Sequence, residues 1–437
     1  MRRRFLVNTW QVYKLMIIKK INDLFRNPLF SNVFYLSILQ GINYLLPLLA
    51  LPFLFIKLGS EYYGLIAFSY SVSLFLNVLV DFGFDLYSTR EISINRDDKI
   101  KTDKIFSVTM VSKSLLLLTS FLILIVLIFT TEKFKINSYV YYLMFFIVIG
   151  NYLSPLWYFQ GMEKMRYVTI INSISKFLSF LPMFVFIKSS DDLIYAPLFY
   201  AIGYLVSGLL SLWITFYQFK VRFTFPTPHE IKDSLTKSSH FFLSRATVSI
   251  YTTCNTILIG LTFNNELTGY YNIAEKIYQA FASLVNPLTQ ALYPYIAKTR
   301  NVVLFKKILL CSVVVSFFIV GFIYIFSEEM IFLLFNTKNI YSIKVLKILI
   351  IGGLAIIPSY LLGYPFLAAM GYTRFTNNTV ILVGLNHLFW LGILYYTQNI
   401  TLFSISFLII ISEFEALILR LYGVWKFRLF RNSVVSL

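Results

Sequence analysis

The feature that most constrains this chain is a series of long stretches with no Asp, Glu, Lys or Arg at all, at residues 28–56, 137–162, 193–219 and 375–412. A helix of about 20 apolar residues crosses the hydrocarbon core of a bilayer. A helix is also one of only two structures that keep every backbone polar group bonded there. The expected fold class is therefore all-α and polytopic. About twelve spans can be placed, at roughly 30–56, 63–86, 106–130, 138–160, 167–187, 193–218, 241–263, 267–297, 303–326, 345–370, 377–397 and 400–423. The 375–412 stretch is long enough for two, divided at Thr397-Gln398-Asn399, the polar cluster best suited to a tight turn. Composition agrees: 13% of the residues are charged, against about 25% in soluble domains. The 19% aromatic content suits helices that meet lipid and its interfaces.

Charge then orients the spans. Of 38 Lys and Arg, roughly 27 fall in the termini and in alternate loops such as 90–104, 220–237 and 298–307. The loops on the other side hold only Lys57, Lys133, Lys135, Lys188, Lys338, Lys344 and Lys347. Positive charge concentrates on the cytosolic side, so both termini are expected in the cytosol. The same distribution accounts for the net charge of +18 without nucleic acid. The cations lie between apolar spans and form no basic stripe interleaved with exposed aromatics.

The domain reading follows the spans. Residues 1–29 form a cytosolic basic segment, in which Lys14, Lys19 and Lys20 come too soon after the apolar start for a signal peptide. Phe5, Leu6, Trp10 and Ile17 fit an amphipathic stretch on the membrane surface; a basic tail without structure is the alternative. Six spans over 30–218, a cytosolic linker at 219–240 with Pro226 and Pro228, six spans over 241–423 and a basic tail at 424–437 complete the chain. A faint repeat marks the same division. Glu61-Tyr62-Tyr63-Gly64 follows the first span and Glu266-Leu267-Thr268-Gly269 the seventh, an offset that pairs Gln40 with Arg245 and Asp81 with Asn286. Chance recurrence of E-x-x-G is the plain alternative, although paired repeats around a midplane site are a common transporter architecture.

Soluble-enzyme signatures are missing. No G-x-x-x-x-G-K-[ST] loop, no G-x-G-x-x-G opening a βαβ unit and no G-x-S-x-G elbow occurs, so ATP hydrolysis is not expected. Cys254 and Cys311 read as packing residues, and His229, His240 and His387 are scattered without metal spacing, so neither a metal nor a bound cofactor is expected. What remains is charge inside the bilayer. Each such group costs ~3 kcal/mol or more on insertion scales and usually faces a partner or a wet cavity. The cations within spans are Lys113, Lys176, Arg245 and Lys276; the acids are Asp81, Asp85, Glu275, Glu413 and Glu415.

Asp81 and Asp85, at i and i+4, are expected on one helix face, as a proton or ion site or as a cap for cations such as Arg90. Glu413 and Arg420 read as a structural pair. Lys176 lies near mid-span, whereas Arg245 is one turn inside its helix and close enough to snorkel. Lys276 follows Glu275 about 100° round the helix, so the two need not neutralise each other. Lining one cavity, these cations would suit a large anionic substrate; the alternative is that each snorkels or pairs locally.

Several stretches in order resemble O-antigen flippases. Trp157-Tyr158-Phe159-Gln160-Gly161-Met162-Glu163-Lys164-Met165 matches their W-x-F-Q-G-x-E-K-M signature. Gln40-Gly41-Ile42-Asn43, Asp81-Phe82-Gly83-Phe84 and Thr89-Arg90-Glu91 follow the same pattern in the first half. Phe242-Leu243-Ser244-Arg245, Gly269-Tyr270-Tyr271, Ala274-Glu275-Lys276 and Ala291-Leu292-Tyr293-Pro294 follow it in the second. The resemblance covers about residues 30–300 and implies membership of the multidrug/oligosaccharidyl-lipid/polysaccharide exporter superfamily. It implies two six-helix lobes around a central cavity, with Arg245 and Lys276 facing it and Asp81 and Asp85 near its cytosolic mouth. Lys113 and Lys176 would lie within the first lobe. The implied cargo is an undecaprenyl-pyrophosphate-linked oligosaccharide repeat unit, moved from the cytosolic to the periplasmic leaflet of the bacterial inner membrane. Proton or ion coupling, with Asp81, Asp85 and Glu275 as candidates, and partnership with a polymerase and a chain-length regulator are implied too. A multidrug exporter of the same superfamily and a membrane polymerase or ligase are the rivals. The first should have an acidic, aromatic site and the second a large external loop, whereas the longest such loop here, 327–344, is modest.

Overall fold

The computed structural model describes residues 28–430, with side chains except at 28–45, 243–245, 247–252 and 291. The expected amphipathic N-terminal stretch, the end of the basic tail and the side chains of Gln40 and Arg245 lie outside the described residues.

Helices dominate. The first, α1 (Pro28–Asp81), is broken at Gly59, whose φ of 79° and ψ of 168° are open to glycine, so it holds the first two expected spans. Then come α2 (Phe84–Ile94), α3 (Lys99–Thr130), α4 (Glu132–Ile136), α5 (Ser138–Leu153), α6 (Leu156–Gly161), α7 (Met165–Phe186) and α8 (Tyr195–Tyr217). The second half contains α9 (Pro228–Thr262), α10 (Asn265–Ser283), α11 (Asn286–Thr299), α12 (Val302–Ile325), α13 (Ser327–Phe335) and α14 (Ile340–Leu361). A π-helical stretch (Leu362–Ala368), α15 (Thr373–Tyr396) and α16 (Leu402–Lys426) end it.

The chain is a multi-pass membrane protein: nine helical segments among the described residues are long and apolar enough to cross a bilayer. Three of the expected spans stand outside this count. The kinked α1 counts once although it is two helices. Of α9, whose side chains at 243–245 and 247–252 lie outside the described residues, the run Thr253–Thr262 is apolar. The expected span at 267–297 is two helices, and the longer, α10, carries Asn272, Glu275, Lys276 and Gln279. Both α9 and α10 pack against α1, whereas α11 packs on the π-helical stretch.

Helix ends follow local chemistry. Thr227 caps α9 through the Glu230 amide, Pro228 occupies the first turn, and Glu230 returns a bond to the Thr227 amide (3.1 Å). Asn264, Asn301 and Asn339 cap α10, α12 and α14 with their side-chain oxygens. The turn between α15 and α16 falls at Thr397-Gln398-Asn399, with Gln398 left-handed at φ 54°.

In the first half α1, α5, α7 and α8 pack together, with Gly150 against the Tyr204 backbone and Gly203 against the Ser175 carbonyl. Small residues let membrane helices approach this closely. In the second half α10, α12 and α16 pack on α14, and α15 packs on α16. One apolar core runs through both halves. A smaller one gathers Trp157, Tyr158 and Phe159 with Ile92 and Phe106. There the Trp157–Gly161 signature clasps α2. The Thr89 hydroxyl and Arg96 Nε donate to the carbonyls of Trp157 and Gly161, each at 3.2 Å, and a Cβ on Gly161 would lie 2.6 Å from Ile92. Arg96 also pairs with Glu163 at 2.8 Å, holding that carboxyl below its usual range.

Candidate functional site

The two halves touch at both ends of the bundle. At one end α1 crosses α10 backbone to backbone. A Cβ on Gly64 would meet the Asn265 carbonyl oxygen at 1.8 Å, and one on Gly269 would meet that of Ser60 at 2.3 Å. Ser60 and Gly64 relate to Asn265 and Gly269 by the offset that relates Glu61 to Glu266, so the faint E-x-x-G repeat is a reciprocal contact. At the other end Gly83 lies against the backbone of Ser238 and Phe242. The Ser238 hydroxyl donates to the Phe82 carbonyl at 2.9 Å, and the Phe82 and Phe242 rings stack at 4.6 Å.

Between these contacts lie ionisable side chains from both halves. Tyr70 is six residues beyond Gly64 and Lys276 seven beyond Gly269, so at 1.5 Å per residue both sit about 10 Å below the crossing. Lys176, on α7, is half-buried with its ammonium 5.7 Å from the Phe180 ring. It acts electrostatically on Tyr70 and on Lys276. The Tyr70 hydroxyl is 3.5 Å from that of Tyr204, and its ring packs 5.3 Å from Tyr200. The structure thus places Lys176 and Lys276, one from each half, within electrostatic reach of each other. Lys276 is bonded to Gln279 Oε1 at 2.9 Å, while Glu275 is turned away and accepts from Thr256 (2.8 Å) and Asn272 (3.3 Å).

The other charges lie elsewhere. Lys113 is buried and pairs with Asp81 at 3.1 Å within the first half. Asp81 therefore has Lys113, not Arg90, as its cation. Asp81 and Asp85 do not lie on one continuous helix, since α1 ends at Asp81, the left-handed Gly83 breaks the helix and Asp85 opens α2, but their side chains remain neighbours and both act on Lys113. Asp85 lines, with Thr89, Arg90 and Gln160, an open pocket of about 440 Å³. Glu413 and Arg420 share a cavity of about 20 Å³ with Ser359, room for one water. Arg420 Nη1 donates to the Ser359 carbonyl (2.6 Å) and hydroxyl (2.8 Å), just before the π-helical stretch. Glu415 accepts from Asn386 at 2.5 Å. His387 bridges Ser412 (2.8 Å) and Asn255 (3.0 Å). Both cysteines are free, and Cys311 is exposed on α12 rather than packed in the core.

Tyr63, Asn272, Thr256, Tyr70 and Tyr204 were not singled out by charge. Their signal in the sequence was weaker: a Tyr inside the repeat motif, and uncharged polar residues recurring in helices expected to span.

The folded chain aligns with the lipid II flippase MurJ in its inward closed conformation over 90% of this chain and 87% of that one, with a TM-score of 0.72 at 16% identity. It aligns with an inward-facing multidrug resistance MATE family transporter of the MOP superfamily over 90% and 96%, with a TM-score of 0.64 at 16% identity. At that identity the likeness is one of fold, and it defines the class: a multi-pass α-helical membrane protein of MurJ and MATE architecture. Residues 29–300 match the family described as Polysaccharide biosynthesis protein, and the chain belongs to that family. The Escherichia coli strain K12 protein named "Putative O-antigen transporter" is 32% identical over 287 residues, 64% of this chain and 69% of that protein. Its Shigella dysenteriae namesake is 28% identical over 274 residues, 62% and 68% of the two chains.

Proposed function

We propose that the protein is a flippase, not an enzyme, that moves a lipid-linked polysaccharide repeat unit across the bacterial inner membrane. The cargo is an undecaprenyl-pyrophosphate-linked oligosaccharide, passed from the cytosolic to the periplasmic leaflet. The names of the relatives and the MurJ-like fold support this reading. The observation that carries it is that Lys176 and Lys276, one from each half, lie within electrostatic reach of each other.

A bilayer blocks such cargo because a pyrophosphate and several sugars are costly to desolvate. A wet cationic space between the halves replaces their hydration while the prenyl tail stays in lipid. Lys176, Lys276 and Arg245 hold the pyrophosphate; Lys113, paired with Asp81, steadies the first half. The halves, 30–218 and 241–423, act as lobes that rock about the site. In the orientation set by loop charge, both termini are cytosolic and the Gly64 end is periplasmic. No nucleotide motif is present, so a proton or ion gradient acting through Asp81, Asp85 or Glu275 is the proposed energy source. A polymerase and a chain-length regulator act on the delivered repeat unit.

Deleting the gene and locating the lipid-linked intermediate tests the proposal. A complete repeat unit accumulating on the cytosolic leaflet is the expected result. Accumulation on the periplasmic leaflet overturns it and points to a polymerase. Purified protein in liposomes should flip the lipid without ATP, and strict ATP dependence contradicts the energy source.

A further inference from the structure

A hydrogen-bond chain runs beside the Gly64–Gly269 crossing and joins the two halves. The Tyr63 hydroxyl of α1 donates to Asn272 Oδ1 of α10 at 2.9 Å. Asn272 Nδ2 donates to Glu275 Oε2 at 3.3 Å, and Thr256 of α9 donates to the same oxygen at 2.8 Å. All four side chains are buried. The amide orientation is set by this arrangement. When ionised, Glu275 only accepts, so Nδ2 faces it, which leaves Oδ1 as the acceptor turned toward Tyr63. Lys276, the next residue, is bonded to Gln279 and leaves the carboxylate to these two neutral donors.

We infer that Tyr63, Asn272, Glu275 and Thr256 form a latch that holds the halves closed at the Gly64 end, and that its release opens the cargo space there. The inference rests on the reading of the protein as an alternating-access carrier. A hydrogen bond is lost within about 1 Å of separation, because it weakens steeply beyond 3.5 Å. The chain therefore favours the closed arrangement over any partly opened one. Only the Tyr63–Asn272 bond crosses between the halves, with Glu275 and Thr256 fixing the Asn272 amide; once the gap is wet, water replaces that bond, so release does not strand a polar group in an apolar surround. One helix, α10, carries both the latch and the cargo cation. An anion arriving at Lys276 sits one residue from the Glu275 carboxylate and repels it, so loading the site loosens the latch.

The test is a distance distribution. With Cys254 and Cys311 replaced by Ser, spin labels go on Glu61→Cys and Glu266→Cys, both exposed and on opposite halves. Pulsed electron resonance in lipid nanodiscs then reads the closed and open populations at this end. Tyr63→Phe strands Asn272 Oδ1 in the closed state alone and should raise the open population on the order of tenfold. Thr256→Val should act in the same direction by removing one donor from Glu275. Tyr141→Phe is the control, since the Tyr141 hydroxyl is buried without a partner, and it should leave the distribution unchanged. Added inorganic pyrophosphate should raise the open population further, and Lys276→Ala should abolish that response. Wild-type distributions in both Tyr63→Phe and Thr256→Val, in protein of unchanged thermal stability, overturn the latch. Normal transport by Lys276→Ala beside a shifted Tyr63→Phe distribution overturns the cargo site and leaves the latch standing.

Discussion

Gly64→Ala puts the crossing between the halves to a direct test. The added Cβ would lie 1.8 Å from the Asn265 carbonyl oxygen, 2.7 Å from its carbon and 2.8 Å from the Gly269 nitrogen. A carbon meets a carbonyl oxygen comfortably at about 3.3 Å, so the two backbones must part by about 1.5 Å. Overpacking of this kind costs about 1–3 kcal/mol. The cost falls on the closed arrangement alone, because the clash disappears when the halves separate. Replacing a helical glycine by alanine also stabilises the helix by about 0.5–1 kcal/mol, and that gain is shared by closed and open states. The signature is therefore a closed population reduced by roughly 5- to 150-fold with little change in unfolding temperature. Gly269→Ala, meeting the Ser60 oxygen at 2.3 Å, should do the same, whereas Gly321→Ala meets nothing within 4 Å and should not. The labelled pair at 61 and 266 reads the population, and polysaccharide display in a deletion strain reads function. Wild-type distances and display in Gly64→Ala, at matched protein level, would refute the claim that the crossing seals this end.

Four further outcomes follow from named contacts. Lys176→Ala and Lys276→Ala should each lose most polysaccharide display while the protein still inserts, measured with protein abundance alongside. Arg245→Ala should lose most display and Arg245→Lys retain part, since lysine keeps the charge but not the planar fork that bonds two phosphate oxygens. Lys113→Met strands the Asp81 carboxylate and should cost about 3–5 kcal/mol, with Asp81→Asn in the same chain recovering most of it in thermal unfolding. Glu163→Ala breaks an exposed pair and should leave thermal stability nearly unchanged, whereas Gly161→Ala, crowding Ile92, should unseat α2 and raise its proteolysis. Because Arg96 lowers the Glu163 carboxyl, what that pair contributes is present above the ordinary carboxylate range and fades as pH falls through the lowered value.

The fold was legible where the bilayer writes directly on the sequence. Long, largely apolar runs located the membrane-spanning helices, and Thr397-Gln398-Asn399 marked the turn before α16. The spans expected at 241–263 and 267–297 were read in spite of Asn255, Thr256, Asn272 and Glu275, but the sequence did not show that α9 and α10 bury these polar residues or that 267–297 breaks into two helices. Legibility failed again at Gly83, where a positive φ ends one helix and starts another between Asp81 and Asp85, a stretch that i,i+4 spacing made look continuous. Embedded charge pointed to Lys176 and Lys276 but not to their lying within electrostatic reach across the halves, since no local pattern sets the distance between α7 and α10. Tyr63 and Asn272 carried no charge to draw notice, and their contact spans 209 residues. The Trp157–Gly161 signature was visible as a string, but its work of clasping α2 depends on backbone carbonyls that no side-chain pattern displays.

The reciprocal glycine crossing has the form of a two-fold dimer interface folded into one chain. Each half presents the same patch, a glycine on one turn and a carbonyl one turn earlier, and each patch receives the other's. Such a surface is self-complementary, as in symmetric homodimers. Positions 64 and 269 therefore form one unit of variation, since bulk admitted at either has to be accommodated by both backbones. Change at this end of the molecule is constrained in pairs, whatever freedom the linker and lipid-facing surfaces retain.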